Sequence, residues 1–112
     1  MKNGIIIYWC EEDEMSMEIE EIKQILAQNR ELLMQYYNVK EIGIFGSYVR
    51  NEQRKNSDLD ILVEFAEPIG LFKFMDLEEY LKSLLSIKID LVSKKALKPY
   101  IGKYILEEVV YI

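Results

Sequence analysis

An Asp58-Leu59-Asp60 pair opens the apolar run Ile61-Leu62-Val63. Ten residues separate it from a Gly46-Ser47 pair that closes another apolar run, Ile42-Gly43-Ile44-Phe45. Few folds put both arrangements to use at once. Each apolar run is the length of a buried strand. The Gly-Ser turn ends the first strand and the two acids begin the second. A candidate phosphate cradle is thereby set opposite a candidate metal-binding pair.

Each part has a physical reason. Glycine lets backbone come close to a ligand, and serine can cap a following helix, whose first N–H groups attract phosphate. Arg50 lies one turn on, where a guanidinium can grip a triphosphate oxygen. Side chains two apart on a strand leave the same face, so Asp58 and Asp60 face one region. Adjacent carboxylates repel unless a cation sits between them, and oxygen-ligated Mg²⁺ shared with substrate phosphates meets that need. In the run Ile87-Lys88-Ile89-Asp90-Leu91-Val92, a third acid is embedded among β-formers. If this strand pairs beside the Asp58-Leu59-Asp60 strand, Asp90 reaches the same ions. Three carboxylates suit a two-metal site.

Gly46-Ser47, the ten-residue gap, Asp58-x-Asp60 and Asp90 on a later strand resemble the DNA polymerase β-type nucleotidyltransferase superfamily. Within it the chain is similar to the minimal nucleotidyltransferases called MntA, antitoxin partners of HEPN-domain toxins. The resemblance runs from about Ile19 onward and takes in Glu67-Pro68-Ile69-Gly70-Leu71-Phe72 and Lys94-Lys95-Ala96-Leu97-Lys98-Pro99. It implies an ATP-using, Mg²⁺-dependent protein adenylyltransferase that moves AMP onto a tyrosine of a HEPN ribonuclease toxin. Asp58 and Asp60 would be catalytic, and Asp58, Asp60 and Asp90 would hold two Mg²⁺ ions. Gly46, Ser47 and Arg50 would bind the nucleotide. Two rival functions stand beside it: an antitoxin that acts by docking alone, and a small-molecule nucleotidyltransferase. The latter usually brings an extra helical domain.

Composition narrows the chemistry. There is no histidine and one cysteine, Cys10. A Ser-His-Asp triad, a Cys-His pair, His-ligated zinc, a Cys₄ site and an intrachain disulfide are all excluded. With 112 residues, half of them hydrophobic, the chain is expected to form one domain with a real core. The net charge of -6 argues against a nucleic-acid footprint. The apolar run Gly4-Ile5-Ile6-Ile7-Tyr8-Trp9-Cys10 is too short for a membrane span and makes a poor signal peptide, so a cytoplasmic location is expected. Residues 1–16 form a variable extension, and residues 17–112 form the domain. The extension reads either as an extra edge strand or, slightly favoured, as a tail upstream of a start at Met15 or Met17.

Along the domain, residues 17–37 carry helical periodicity, with Ser16 as candidate N-cap and Ile19, Ile22, Ile25, Leu26, Leu32, Leu33 and Tyr36 on one broad apolar face. Residues 40–45 form a strand, and a short helix follows from Ser47 to near Asn51. Residues 59–65 form a long apolar strand, expected to be central. Pro68 and Gly70 end it. Residues 71–85 are helical with Leu71, Phe74, Leu77, Leu81, Leu84 and Leu85 inward. A third strand spans 87–92. Pro99 opens a last helix, and residues 109–112 are a candidate edge strand. The fold class is α/β, a small single domain with helices packed on a mixed sheet. Tyr48 is expected to be an ordinary packing residue rather than one that stacks on a base or accepts a nucleotide, Ser57 is expected in a turn, and Phe72 and Met75 outside the helix stripe.

Overall fold

The computed structural model describes residues 18–54 and 56–112. The N-terminal extension, with its apolar run and the Ser16 cap, lies outside the described residues. Where one helix was expected, there are two, α1 (Ile19–Gln28) and α2 (Arg30–Tyr37). The break is at Asn29. Its side-chain Nδ2 donates to the Ile25 carbonyl at 2.8 Å, and its Oδ1 accepts from the Tyr80 hydroxyl at 2.9 Å. An amide side chain that takes a backbone carbonyl in this way competes with the helix ladder. Helix α1 then buries Ile22 and Leu26, one turn apart, and α2 buries Leu33 and Tyr37. Leu32 and Tyr36, assigned to the inward face from the sequence, are exposed, and Tyr37 takes the place expected of Tyr36. Asn38, left-handed at φ 59°, ends α2.

The strands are β1 (Val39–Phe45), β2 (Leu59–Phe65), β3 (Ile89–Ser93) and β4 (Val110–Tyr111), in spatial order β3-β2-β1-β4. Strand β1 runs antiparallel to β2 and β4, and β2 runs parallel to β3, so the sheet is mixed with β2 inside it. A parallel pair needs a crossover, and helix α3 (Leu71–Leu85) supplies it. A 3₁₀ turn (Lys94–Ala96) and helix α4 (Pro99–Glu108), with its proline in the first turn, lead to β4.

Period-two alternation decides which side chains reach the core. Ile42 and Ile44 of β1, Leu59, Ile61 and Val63 of β2, and Ile89 and Leu91 of β3 share one buried cluster with Ile22, Leu26, Leu33, Leu77, Leu81 and Leu85. Asp60 and Asp90, between these residues in sequence, therefore project from the opposite face of the sheet. Gly43 on β1 allows β4 to lie close, since a Cβ there would come within 2.7 Å of Val109 and 3.2 Å of the Tyr111 ring. On α3, Leu77, Leu81 and Leu85 are buried as expected. Phe74 is half-buried with its ring against Phe65. Leu71 departs from expectation: it is exposed, at the rim of a groove also lined by Phe65, Pro68, Ile69 and Phe74. Phe72 and Met75 are exposed, as their place off the stripe implies. No helix among the described residues is long and apolar enough to cross a membrane.

Candidate active site

Strand β1 ends in Gly46, whose φ of +85° favours glycine. A second constraint is steric: a Cβ built on Gly46 would overlap the Asp60 carboxylate and stand 3.0 Å from its Cγ. The Gly46 carbonyl accepts from the N–H groups of Val49 at 3.0 Å and Arg50 at 3.2 Å. The short helix expected here is instead a single turn. Asn51, left-handed at φ 59°, ends it, and Glu52 N–H closes it onto the Ser47 carbonyl at 2.8 Å. The phosphate-binding logic does not need the longer helix. Among the described residues the Ser47 and Tyr48 N–H groups have no acceptor, and consecutive free amides make an anion-binding concavity by themselves.

Tyr48 anchors the turn from below, 2 % exposed in the main core. Burial, and then the charge of Asp58, push its phenol above the ordinary value. Asp58 itself is exposed, one residue ahead of β2. Ser57 shapes the preceding turn, its hydroxyl accepting from Arg54 N–H at 2.7 Å.

Parallel register sets Asp60 of β2 beside Asp90 of β3, while antiparallel register sets Asp60 beside Phe45, the residue before Gly46. The two carboxyls and the Gly-Ser turn thus meet at one end of the sheet. Asp60 is partly buried and its carboxyl is pushed up from 3.8 to about 6. Burial is the main cause, followed by the charge of Asp90, a hydrogen bond between the two carboxyls, and the charge of Asp58; Arg50 acts in the opposite direction. Asp90 is exposed, and Lys94, four residues on, pairs with Glu64 at 3.6 Å. Among the described residues no three acidic side chains stand close enough together to hold an ion as placed; Asp60 and Asp90 form a pair with Asp58 outside it. The two carboxyls that meet here offer only hard oxygen donors, the chemistry that suits Mg²⁺.

Arg50 projects from the turn, half-exposed. Its Nε donates to Glu52 Oε1 at 3.0 Å, and one terminal nitrogen donates to Glu108 Oε1 at 2.7 Å. The other Glu108 oxygen accepts from the Gly46 backbone N–H at 2.6 Å. Sequence reasoning missed Glu108. An acid on an amphipathic helix, separated from Gly46 by 62 positions, carries no local signal that it reaches the turn.

Comparison with known proteins agrees with this geometry. The family described as the nucleotidyltransferase domain matches residues 19–112. A protein of Thermococcus cleftensis named protein adenylyltransferase MntA is 51% identical over 94 residues, covering 84% of this chain and 95% of the relative. Among solved structures, a candidate minimal nucleotidyltransferase shares 31% identity with a TM-score of 0.73, over 84% of this chain and 95% of that one. A toxin-antitoxin structure with AMP-PNP shares the fold at 24% identity and a TM-score of 0.64, over 85% of this chain and 72% of that one. A mixed sheet that joins a Gly-Ser turn to paired aspartates, and a family match over nearly all described residues, lead to one conclusion: the chain belongs to the nucleotidyltransferase-domain family and is an enzyme of its minimal, MntA-like branch.

Proposed function

We propose that this protein transfers AMP from ATP to a tyrosine of a HEPN-domain toxin and so acts as that toxin's antitoxin. The observation that carries the reading is the pairing of Asp60 with Asp90 directly under the Gly46-Ser47 turn. The name of the Thermococcus relative supports protein adenylylation, and the toxin-antitoxin complexes among the structural neighbours support the kind of partner.

In this reading the Gly46, Ser47 and Tyr48 N–H groups, the Ser47 hydroxyl and Arg50 bind the triphosphate. Asp58, Asp60 and Asp90 would hold Mg²⁺. Bound Mg²⁺ would neutralise charge on the phosphates and make the acceptor hydroxyl easier to deprotonate. The new bond joins the tyrosine oxygen to the α-phosphorus as the hydroxyl proton passes to water, the bond from that phosphorus to the β-phosphate oxygen breaks, and pyrophosphate leaves with the triphosphate's outer charge. The chain's own contribution is positioning: the turn fixes the phosphates over the carboxylates, and the rigid β2–β3 register fixes the carboxylates.

The test is AMP transfer to the toxin, read by mass spectrometry with ATP and Mg²⁺. An added AMP mass on a toxin tyrosine, lost in Asp58→Asn, is expected. A stable complex without any transfer would put docking alone in its place. Asp90→Asn should lower turnover by about 10²-fold or more while changing the affinity for ATP far less; unchanged turnover would remove Asp90 from the site.

A further inference from the structure

Two of the donors assigned to the triphosphate already hold an anion. Glu108 is the last residue of α4. One of its carboxylate oxygens accepts from Gly46 N–H at 2.6 Å and the other accepts from Arg50 at 2.7 Å. A carboxylate that spans a backbone amide and a guanidinium in this way presents the two-oxygen edge that a phosphate would present. The Gly46 amide has one hydrogen and cannot serve both. Arg50 is also committed, with Nε on Glu52 and a terminal nitrogen on Glu108. The Glu108 side chain is only 26% exposed, so water screens its charge less than that of a surface acid. A triphosphate settling on the turn meets a like charge on its own donors.

We infer that Glu108 is a resident anion of the nucleotide cradle, bound to Gly46 and Arg50 in the nucleotide-free protein and exchanged for phosphate oxygens when ATP binds, so that it sets the affinity for ATP. The inference rests on the cradle reading above. The exchange needs only a side-chain rotation. The backbone around Glu108 is held independently, by Val109 N–H on the Ile105 carbonyl at 2.9 Å and by the pairing of Val110 with Ile44. Glu108 is thus a positioning residue, acting through Gly46 and Arg50. A merely structural latch would differ in effect: its loss would loosen α4 without tightening nucleotide binding.

Calorimetric titration of ATP with Mg²⁺ into the wild-type protein and Glu108→Gln separates the two. Glutamine keeps the shape and an acceptor for Gly46 but removes the charge. Kd for ATP is expected to fall about tenfold, the scale of one charge-assisted hydrogen bond exchanged for a neutral one. An unchanged or higher Kd overturns the inference and leaves the cradle reading standing. If neither protein binds ATP, the cradle reading fails and the role of Glu108 fails with it. The wild-type protein gives a second measurement that does not depend on the variant's folding. Inorganic tripolyphosphate added to ¹⁵N-labelled protein should move the Gly46 amide resonance in step with binding. Tripolyphosphate that binds while this resonance stays in place overturns the exchange.

Discussion

Asp60→Asn is expected to abolish AMP transfer and, in the same molecule, to raise the melting temperature of the metal-free protein at neutral pH. Both effects have one origin. Asp60 is partly buried beside Asp90, and its carboxyl is held up at about 6 against an ordinary 3.8. For an acid, a folded-state pKa above the unfolded value means that the fold favours the protonated form. The stability gained in this way is complete below about pH 4 and is lost as the pH rises from about 4 to about 6. For a carboxyl wholly shut off from water such a shift would be worth about 3 kcal/mol. Solvent reaches Asp60, so about 1 kcal/mol is the realistic scale, or roughly 4–8 °C in Tm for a domain this small. With chelator present, the wild-type Tm should fall between pH 4.5 and pH 7 by about that amount, and asparagine should flatten the profile. Adding Mg²⁺ at pH 7 should restore the wild-type Tm and leave Asp60→Asn unmoved. Activity should fall by about 10³-fold, the scale for a group that stabilises charge in the transition state. Transfer within tenfold of wild type, or a Tm profile that asparagine does not flatten, would remove Asp60 from the centre of the site. Asp58→Asn is the internal contrast. Asp58 is exposed, so its replacement should cost activity without the gain in stability.

The strands, and the meeting of the Gly-Ser turn with the acids at one end of the sheet, were legible because they depend on local pattern. Short apolar runs bounded by Gly-Ser and Asp-x-Asp mark β1 and β2, and the embedded Asp90 marks β3. The pairing of Asp60 with Asp90 then needed only that β2 and β3 lie side by side in register. What escaped sequence reasoning depends on contacts between distant residues. The break at Asn29 is held partly by Tyr80, which lies 51 positions away, so the periodicity of residues 17–37 looked continuous. One broad stripe then took in Leu32 and Tyr36 as well as the residues that are buried. Leu71 fits the α3 stripe by spacing but lies in the helix's first turn, ahead of the residues that meet the sheet. The Ser47 helix stops after one turn because Asn51 adopts a left-handed conformation, which the asparagine allows but does not compel. Glu108 is the clearest case. No local pattern singles it out, and only the return of the chain through β4 to the edge of β1 brings it to Gly46.

Gly46→Ala is expected to be the most damaging single-methyl change in the protein, because three constraints meet at that Cα. The first is conformational: at φ +85° an alanine is strained by about 1–2 kcal/mol. The second is steric. The new methyl would overlap the Asp60 carboxylate, with Cγ at 3.0 Å and Cβ at 3.3 Å behind it. Relief requires the Asp60 carboxylate to rotate out of its place, because its backbone, with Leu59 and Ile61 fixed in the core on either side, cannot shift. The third is chemical, because moving the backbone to relieve the clash would pull the Gly46 N–H, and the free amides after it, out of line with the carboxylates. A loss of about 2–4 kcal/mol in stability is expected, together with AMP transfer below detection even at temperatures where the variant is folded. Gly43→Ala separates a general intolerance of bulk in β1 from this effect. Its methyl would meet Val109, the Val110 carbonyl and Tyr111 at the edge with β4, away from Asp60. It should cost stability comparably while leaving the folded fraction with much of its activity. Equal catalytic losses in the two variants would show that β1 needs glycine for packing alone. Loss confined to Gly46→Ala would tie the turn's close approach to Asp60 directly to catalysis.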